Sequence, residues 1–340
     1  MKYFFKYRLR FEMKQPFFRL IQIILFLCLS MRPAASPPIN TPGIALQRDD
    51  EAGILSVHID GRLAFIYRYI HWLDLPHYWP VYSPSGKNMV VQQAEPYPHH
   101  RSFYVADTVR LNGGREVSTY NTLYSGQKIG EEAYGPPFRD HVRHLDFIRL
   151  ETLNEWAVIE AKLVWEMDGS RPVLEENRRL VVHALGGSEY LIDMTFMLTA
   201  AYGDVEFVSD DVHYAWPFIR MHPCFSGDNG GAITADNGSV GEKATNMKAA
   251  LWIDYSNTIE GLTEGLAVFQ WPDGQDHRWL TREYGIFGPR RPEEQNGKPF
   301  TLKKGDSINQ RVGILIHKGD VKTGGVAERY QKYIQGKWQR

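Results

Sequence analysis

The densest run of titratable side chains in the sequence is Glu95-Pro96-Tyr97-Pro98-His99-His100-Arg101. Pro96 and Pro98 hold the residues before them extended, so the backbone here is stiff. Successive side chains of extended chain point to opposite faces, so one of His99 and His100 serves a given site and the other packs behind it. Imidazole titrates near neutrality, which suits proton transfer at a sugar hydroxyl or at a carbon beside a carbonyl. The plainer alternative is a pair of histidines that satisfy loop backbone. A metal needs at least three converging ligands, and no second cluster has zinc spacing. No cofactor is therefore expected, and a divalent metal is the one alternative the histidines leave open.

Four further groups place His, Arg or carboxylates near strand ends. Glu176 and Arg178, two apart, share a strand face and can converge on one polar ligand; a surface ion pair is the plainer reading. The run from Trp271 through His277 to Trp279, Arg282 and Tyr284 puts an Arg beside a Tyr, a pairing that binds hydroxyls or anions. Arg220 follows the aromatic stretch Tyr214, Trp216 and Phe218. His317 closes a strand ahead of Lys318-Gly319-Asp320. Trp72, Tyr78, Trp79, Trp216, Trp271 and Trp279 lie in or beside loops, where aromatic faces stack on sugar rings, although core packing competes for them.

The elements that must hold these residues alternate with period two. Ala157, Ile159, Ala161, Leu163 and Trp165 share one face, with Glu160, Lys162 and Glu166 on the other. Tyr190 to Leu198 and Ile308 to Ile316 repeat the pattern. Similar runs at 54–59, 63–70, 102–111, 143–151, 178–184, 249–255, 265–270 and 279–287 are split by Gly, Pro, Asn and Asp. Only the C-terminus reads as a helix, with Val326, Tyr330, Tyr333, Ile334 and Trp338 on one face. The prediction is an all-β protein: a large antiparallel β-sandwich with a C-terminal helix, a single domain over residues 50–340. The long connections are 71–88, 209–232, 243–248 and 288–301, and loops of that length are commonly functional.

The N-terminus reads as a secretory signal over residues 1–35, with a linker over 36–49. A basic stretch from Lys2 to Arg19 precedes the apolar run Leu20–Leu29, which is too short to span a bilayer, and Ala34-Ala35-Ser36 supply small residues for cleavage. The expected location is periplasmic or extracellular, with no membrane span after signal removal. Residues 1–35 hold seven basic residues and one acidic one, leaving 32 basic against 39 acidic in the rest of the 340-residue chain. Without a basic excess, a nucleic-acid partner is not expected. Two cysteines, Cys28 and Cys224, support neither a zinc ribbon nor a disulfide framework. No phosphate-cradling loop, nucleophile elbow or dinucleotide fingerprint is present.

At these residues the chain resembles a bacterial family known as "methane oxygenase PmoA", over roughly residues 50–335. The likeness rests on Pro80-Val81-Tyr82-Ser83-Pro84-Ser85-Gly86 with Pro98-His99-His100-Arg101, on Glu176 with Arg178, on Trp279 to Phe287, and on His317 with Gly319-Asp320. It implies a secreted β-sandwich similar in outline to galactose-mutarotase-like sugar enzymes. A methane monooxygenase activity does not follow, because that subunit is polytopic and this chain has no span beyond its leader.

The expected function is a carbohydrate-active enzyme, a lyase or glycoside hydrolase acting on a complex polysaccharide or oxidised sugar. His99 or His100 serves as acid or base, with His317 as counterpart and Tyr284 assisting. Arg101, Arg178, Arg220, His277, Trp279 and Arg282 bind substrate. A glycosidase would use two carboxylates, for which Glu176 and Asp211 are the candidates. The competing expectation is a non-catalytic glycan-binding module. All of these roles require the named side chains to meet in one cleft.

Overall fold

The computed structural model describes residues 43–92, 101–119, 138–208, 215–292 and 298–338. Strands β1 (Ile44–Asp49), β2 (Ile54–Ile59), β3 (Arg62–Arg68) and β4 (His77–Val81) pair in that order as one antiparallel sheet. The short strands β5 (Thr108–Leu111) and β6 (Glu116–Ser118) follow. The long strands come next: β7 (His141–Leu153), β8 (Trp156–Met167), β9 (Arg171–Gly186) and β10 (Glu189–Thr199). After β11 (Val205–Phe207) and β12 (Ile219–Arg220) come β13 (Ala232–Ala235), the one-turn helix α1 (Glu242–Thr245), β14 (Trp252–Ile259) and β15 (Leu262–Gln270). The chain finishes with β16 (His277–Thr281), β17 (Ile286–Pro292), β18 (Phe300–Leu302), β19 (Ser307–Lys318) and helix α2 (Val326–Ile334).

The central sheet has eight strands in the order β13-β14-β15-β19-β10-β9-β8-β7. Its inner face carries Ala157, Ile159, Ala161, Leu163 and Trp165 from β8 and Tyr190, Ile192, Met194, Phe196 and Leu198 from β10, all buried in one hydrophobic cluster. The residues that alternate with apolar ones in the sequence thus face inward together, as the pleat requires. The opposing layer is divided among β1-β2-β3-β4, β18-β11-β5-β6 and β12-β17-β16, all of which contribute to the same core. The all-β sandwich and its C-terminal helix agree with the period-two reading. Residues 44–49, placed in a linker by the sequence, form the edge strand β1.

A smaller core lies on the outer face of the central sheet, where α2 packs Val326, Tyr330 and Tyr333 over Leu191, Ala267, Phe269 and Leu315. The turn into α2 is built by Asp320, whose Oδ1 accepts from the Lys322 and Thr323 amides and the Thr323 hydroxyl at 2.7–3.0 Å. Gly325, in the left-handed region at φ 62°, then starts the helix.

Candidate functional site

At the edge of the central sheet, β7 and β8 place His141 directly opposite Glu166 on the outer face. His141 Nε2 donates to Glu166 Oε2 at 2.8 Å, and Arg143, two residues on and on the same face, donates to both carboxylate oxygens at 2.9 and 2.7 Å. Burial alone would raise the Glu166 pKa, but the Arg143 hydrogen bonds and charge outweigh it and hold the group below its ordinary range. Glu166 is therefore a fixed anion at neutral pH, and it orients the imidazole. With Nε2 committed as donor, Nδ1 is the ring atom left with a lone pair.

The strand edge is closed by the loop after β3. Leu73 N bonds Ile70 O at 3.0 Å, and Val142 N bonds Asp74 O at 2.9 Å, which clamps the loop to β7. His71, Trp72 and Leu73 from this loop, with His141, Arg143 and Glu166, line a cleft of about 350 Å³. Trp72 is 52% exposed beside it. An indole face in solvent next to an ordered Arg–carboxylate–imidazole set suits a sugar ring, whose apolar face stacks while its hydroxyls hydrogen-bond. Behind the loop, buried Asp74 pairs with buried Arg101 at 3.2 Å. Arg101 O accepts from Arg220 Nη1 at 2.7 Å, and the Ser102 hydroxyl donates to Arg220 O at 2.8 Å. Arg101 and Arg220, both expected to bind substrate, are thus joined to each other and support the wall of the cleft.

The other expected site residues do not converge with them. Glu176 and Arg178 are adjacent but lie in the main core: Arg178 Nε donates to Glu176 Oε1 and Trp165 Nε1 to Glu176 Oε2, at 2.6 and 2.9 Å. Neither side chain reaches solvent, because even positions of β9 face inward with Leu174, Leu180 and Val182. His317 is fully buried on the opposite, outer face, where Nε2 donates to Asp254 at 2.8 Å and Nδ1 to Lys318 O at 3.1 Å. Burial would lower its pKa, yet Asp254 and that carbonyl raise it above the ordinary value. Gly265 and Gly324 enclose the ring, since a Cβ at either would lie 2.5 or 2.4 Å from it.

His277 is buried between Asp273 and Arg290 O, and Trp279 is buried with its indole nitrogen donating to Ala250 O at 2.8 Å. Arg282 and Tyr284, expected side by side, do not share a strand face. Residues 282–285 are a turn, closed by Gly285 N to Arg282 O and by Gly285 at φ 108°, which sends Tyr284 into solvent at 54% exposure. Arg282 faces Glu242 at 3.6 Å. His99, His100 and Asp211 lie outside the described residues. Among the described residues no group of three or more His, Cys, Asp or Glu is gathered to hold a metal, and no helix is long and apolar enough to cross a membrane.

His141, Arg143 and Glu166 were not singled out from the sequence, because a His-x-Arg on one strand and a Glu on the next read as the solvated side of amphipathic strands. The available signal was their coincidence with the Trp72 loop. One family model matches residues 55–331. The chain belongs to DUF6807, a family of unknown function. This overturns the "methane oxygenase PmoA" resemblance: the matching model carries no such name, and no relative supports it.

No curated protein matches the DUF6807 chain. Among solved structures it is similar to the GH36 α-galactosidase AgaA of Geobacillus stearothermophilus at 11% identity and TM-score 0.39, over 83% of this chain and 41% of that one. It is also similar to galactose 1-epimerase of Lactobacillus acidophilus at 11% identity and TM-score 0.37, over 82% and 100% of the two chains. A polysaccharide lyase aligns at 9% identity and TM-score 0.34, over 82% and 33%. The chain spans about two fifths of the α-galactosidases it matches. At these scores the likenesses carry no argument about activity.

Proposed function

We propose that this DUF6807 protein is an exported carbohydrate-active enzyme that works at the Trp72–Glu166 cleft by proton abstraction from an oxidised sugar. The observation that carries this reading is the ordered His141–Glu166–Arg143 set beside an exposed indole. Trp72 would stack on the sugar ring. His141 Nδ1 would take the proton from the carbon next to a carboxylate or carbonyl, with Nε2–H held by Glu166. Arg143 bonds Glu166 through Nε and Nη2, and its third nitrogen would steady the enolate-like charge. The bond from the neighbouring carbon to the glycosidic oxygen would then break, the oxygen taking the proton from the His141 imidazolium, and an unsaturated sugar would be left. A two-carboxylate glycosidase is less well supported: among the described cleft residues the one carboxylate is Glu166, already committed to His141 and Arg143.

The test is incubation of the mature protein with a glycan panel rich in uronates, following new reducing ends and the absorbance of unsaturated uronates. Turnover that falls at least a hundredfold in His141→Ala and Glu166→Gln supports the reading. Turnover unaffected by both variants refutes the site, and glycan affinity without turnover in the native protein makes it a binding module.

A further inference from the structure

The outer face of the central sheet carries a second cavity of about 240 Å³, roughly 26–33 Å along β8 from Glu166 at a strand rise of ~3.3 Å per residue. Three lateral rows, set by strand register, build it. In the first row Arg149, Glu160, Arg179, Thr195 and Arg311 stand side by side on β7, β8, β9, β10 and β19. The second row is apolar at Val158 and Val181 and ends on Asp193. The third pairs Trp156 with His183. An apolar strip is thus bordered on one side by hydrogen-bonding groups and on the other by an indole and an imidazole.

The far wall is rigid. Arg311 donates to both oxygens of Asp193 at 2.9 and 2.6 Å and stacks on Trp271 with its guanidinium 3.6 Å from the ring centre. Tyr333 of α2 donates to the same carboxylate at 3.1 Å, so the helix end fixes this corner. Each lining arginine has a carboxylate partner: Arg149 pairs with Glu151 and Arg179 with Glu160, both carboxylates outside the lining, and Arg311 with Asp193 in the wall itself. His183 adds no charge at neutral pH, since burial lowers its pKa to about 4. A cavity with fixed donors and acceptors, an apolar floor and every arginine already held by a carboxylate matches an uncharged polyol better than an anion.

We infer that this cavity is a second saccharide site, for a neutral sugar unit whose ring lies on Trp156 and Val158 and whose hydroxyls meet Arg179, Thr195 and Asp193. It shares a sheet face with the cleft, so one polysaccharide chain can engage both. The inference stands on the rows themselves and does not require turnover at His141.

Affinity gel electrophoresis of the full protein in neutral polysaccharides (galactomannan, xyloglucan, arabinogalactan) and in polygalacturonate tests it. Native protein is expected to be retarded by at least one neutral polymer. Trp156→Ala and, as a surface change that spares the fold, Arg179→Ala should each weaken that retardation about tenfold, while Trp72→Ala leaves it largely intact. No retardation by any neutral polymer overturns the site, as does retardation unchanged in both cavity variants. Binding of polygalacturonate alone, abolished by salt, overturns the neutral assignment. A loss confined to Trp72→Ala assigns the binding to the cleft and also overturns the second site.

Discussion

Replacing Glu176 by Gln should destabilise the protein severely while leaving the shape of the core unchanged. The Arg178 guanidinium is 1% exposed, and Nη2 lies 2.6 Å from Glu176 Oε1 as an ion-pair contact. Among the described residues its Nη1 has no hydrogen-bond partner. Burial pulls the Arg178 pKa down, but Glu176 and the neighbouring Tyr78 and Tyr67 raise it, so the cation persists. Gln can still accept from the Trp165 indole, so the main loss in Glu176→Gln is the negative charge. Leaving one partner of a buried pair uncompensated costs about 3–5 kcal/mol, which is more than a hundredfold in the unfolding equilibrium. Arg178→Met should cost a similar amount, because it strands the carboxylate. The double variant Glu176→Leu/Arg178→Met replaces both by apolar groups and should lie close to native stability. Urea unfolding of the four proteins at pH 7 compares them. Single variants within about 1 kcal/mol of native would show that water or rearrangement compensates the charge, and the assignment of this pair to core structure would fail.

Other outcomes follow from the same geometry. His317 has a folded pKa raised above 6.5, so its charged form stabilises the fold below that pH and the contribution is lost as pH rises through the folded value; the slope between pH 6 and 9 should flatten in Asp254→Asn, measured by urea midpoints. Gly265→Ala pushes a methyl to 2.5 Å from the His317 ring and should lower the melting temperature by several degrees, an expectation refuted by native melting. Glu166 has a depressed pKa, so its contribution is present above the ordinary value of 4.5 and lost as pH falls through the folded one; Glu166→Gln should remove part of the acid-side loss of stability. Trp72→Ala should lower affinity for short uronate oligosaccharides about tenfold at unchanged stability, read by calorimetry.

Much of the architecture was legible because a buried sheet face imposes strict alternation, as in β8, β10 and β19. The sites were less legible, for identifiable reasons. Glu176 and Arg178 occupy inward positions, where periodicity predicts apolar residues, and a charged pair there reads as an interruption that signals function. The 279–287 run looks like one strand until Gly285 is recognised as the closing residue of a turn, which divides it into the β16–β17 hairpin. His317 ends a strand in the expected place, but whether a strand end opens to solvent or lies under a helix depends on α2, which packs there through tertiary contacts. His141 and Arg143 were hidden for a different reason: they pair regularly with β8 ahead of the register shifts at His144/Asp146 and Phe147/Arg149, so they read as the polar side of an ordinary amphipathic strand, and only the tertiary docking of the Trp72 loop makes that side a cleft.

Those two shifts also bear on how the molecule behaves in a crowd. β7 is the last strand of the central sheet, thirteen residues long, and a straight edge of that length is a template for pairing with another chain. The inserted residues are Leu145 and Ile148, 42% and 60% exposed. By bending the strand at two points they deny a neighbouring chain a continuous ladder of amides and carbonyls. Trimming either insertion would regularise the edge and should make the protein self-associate.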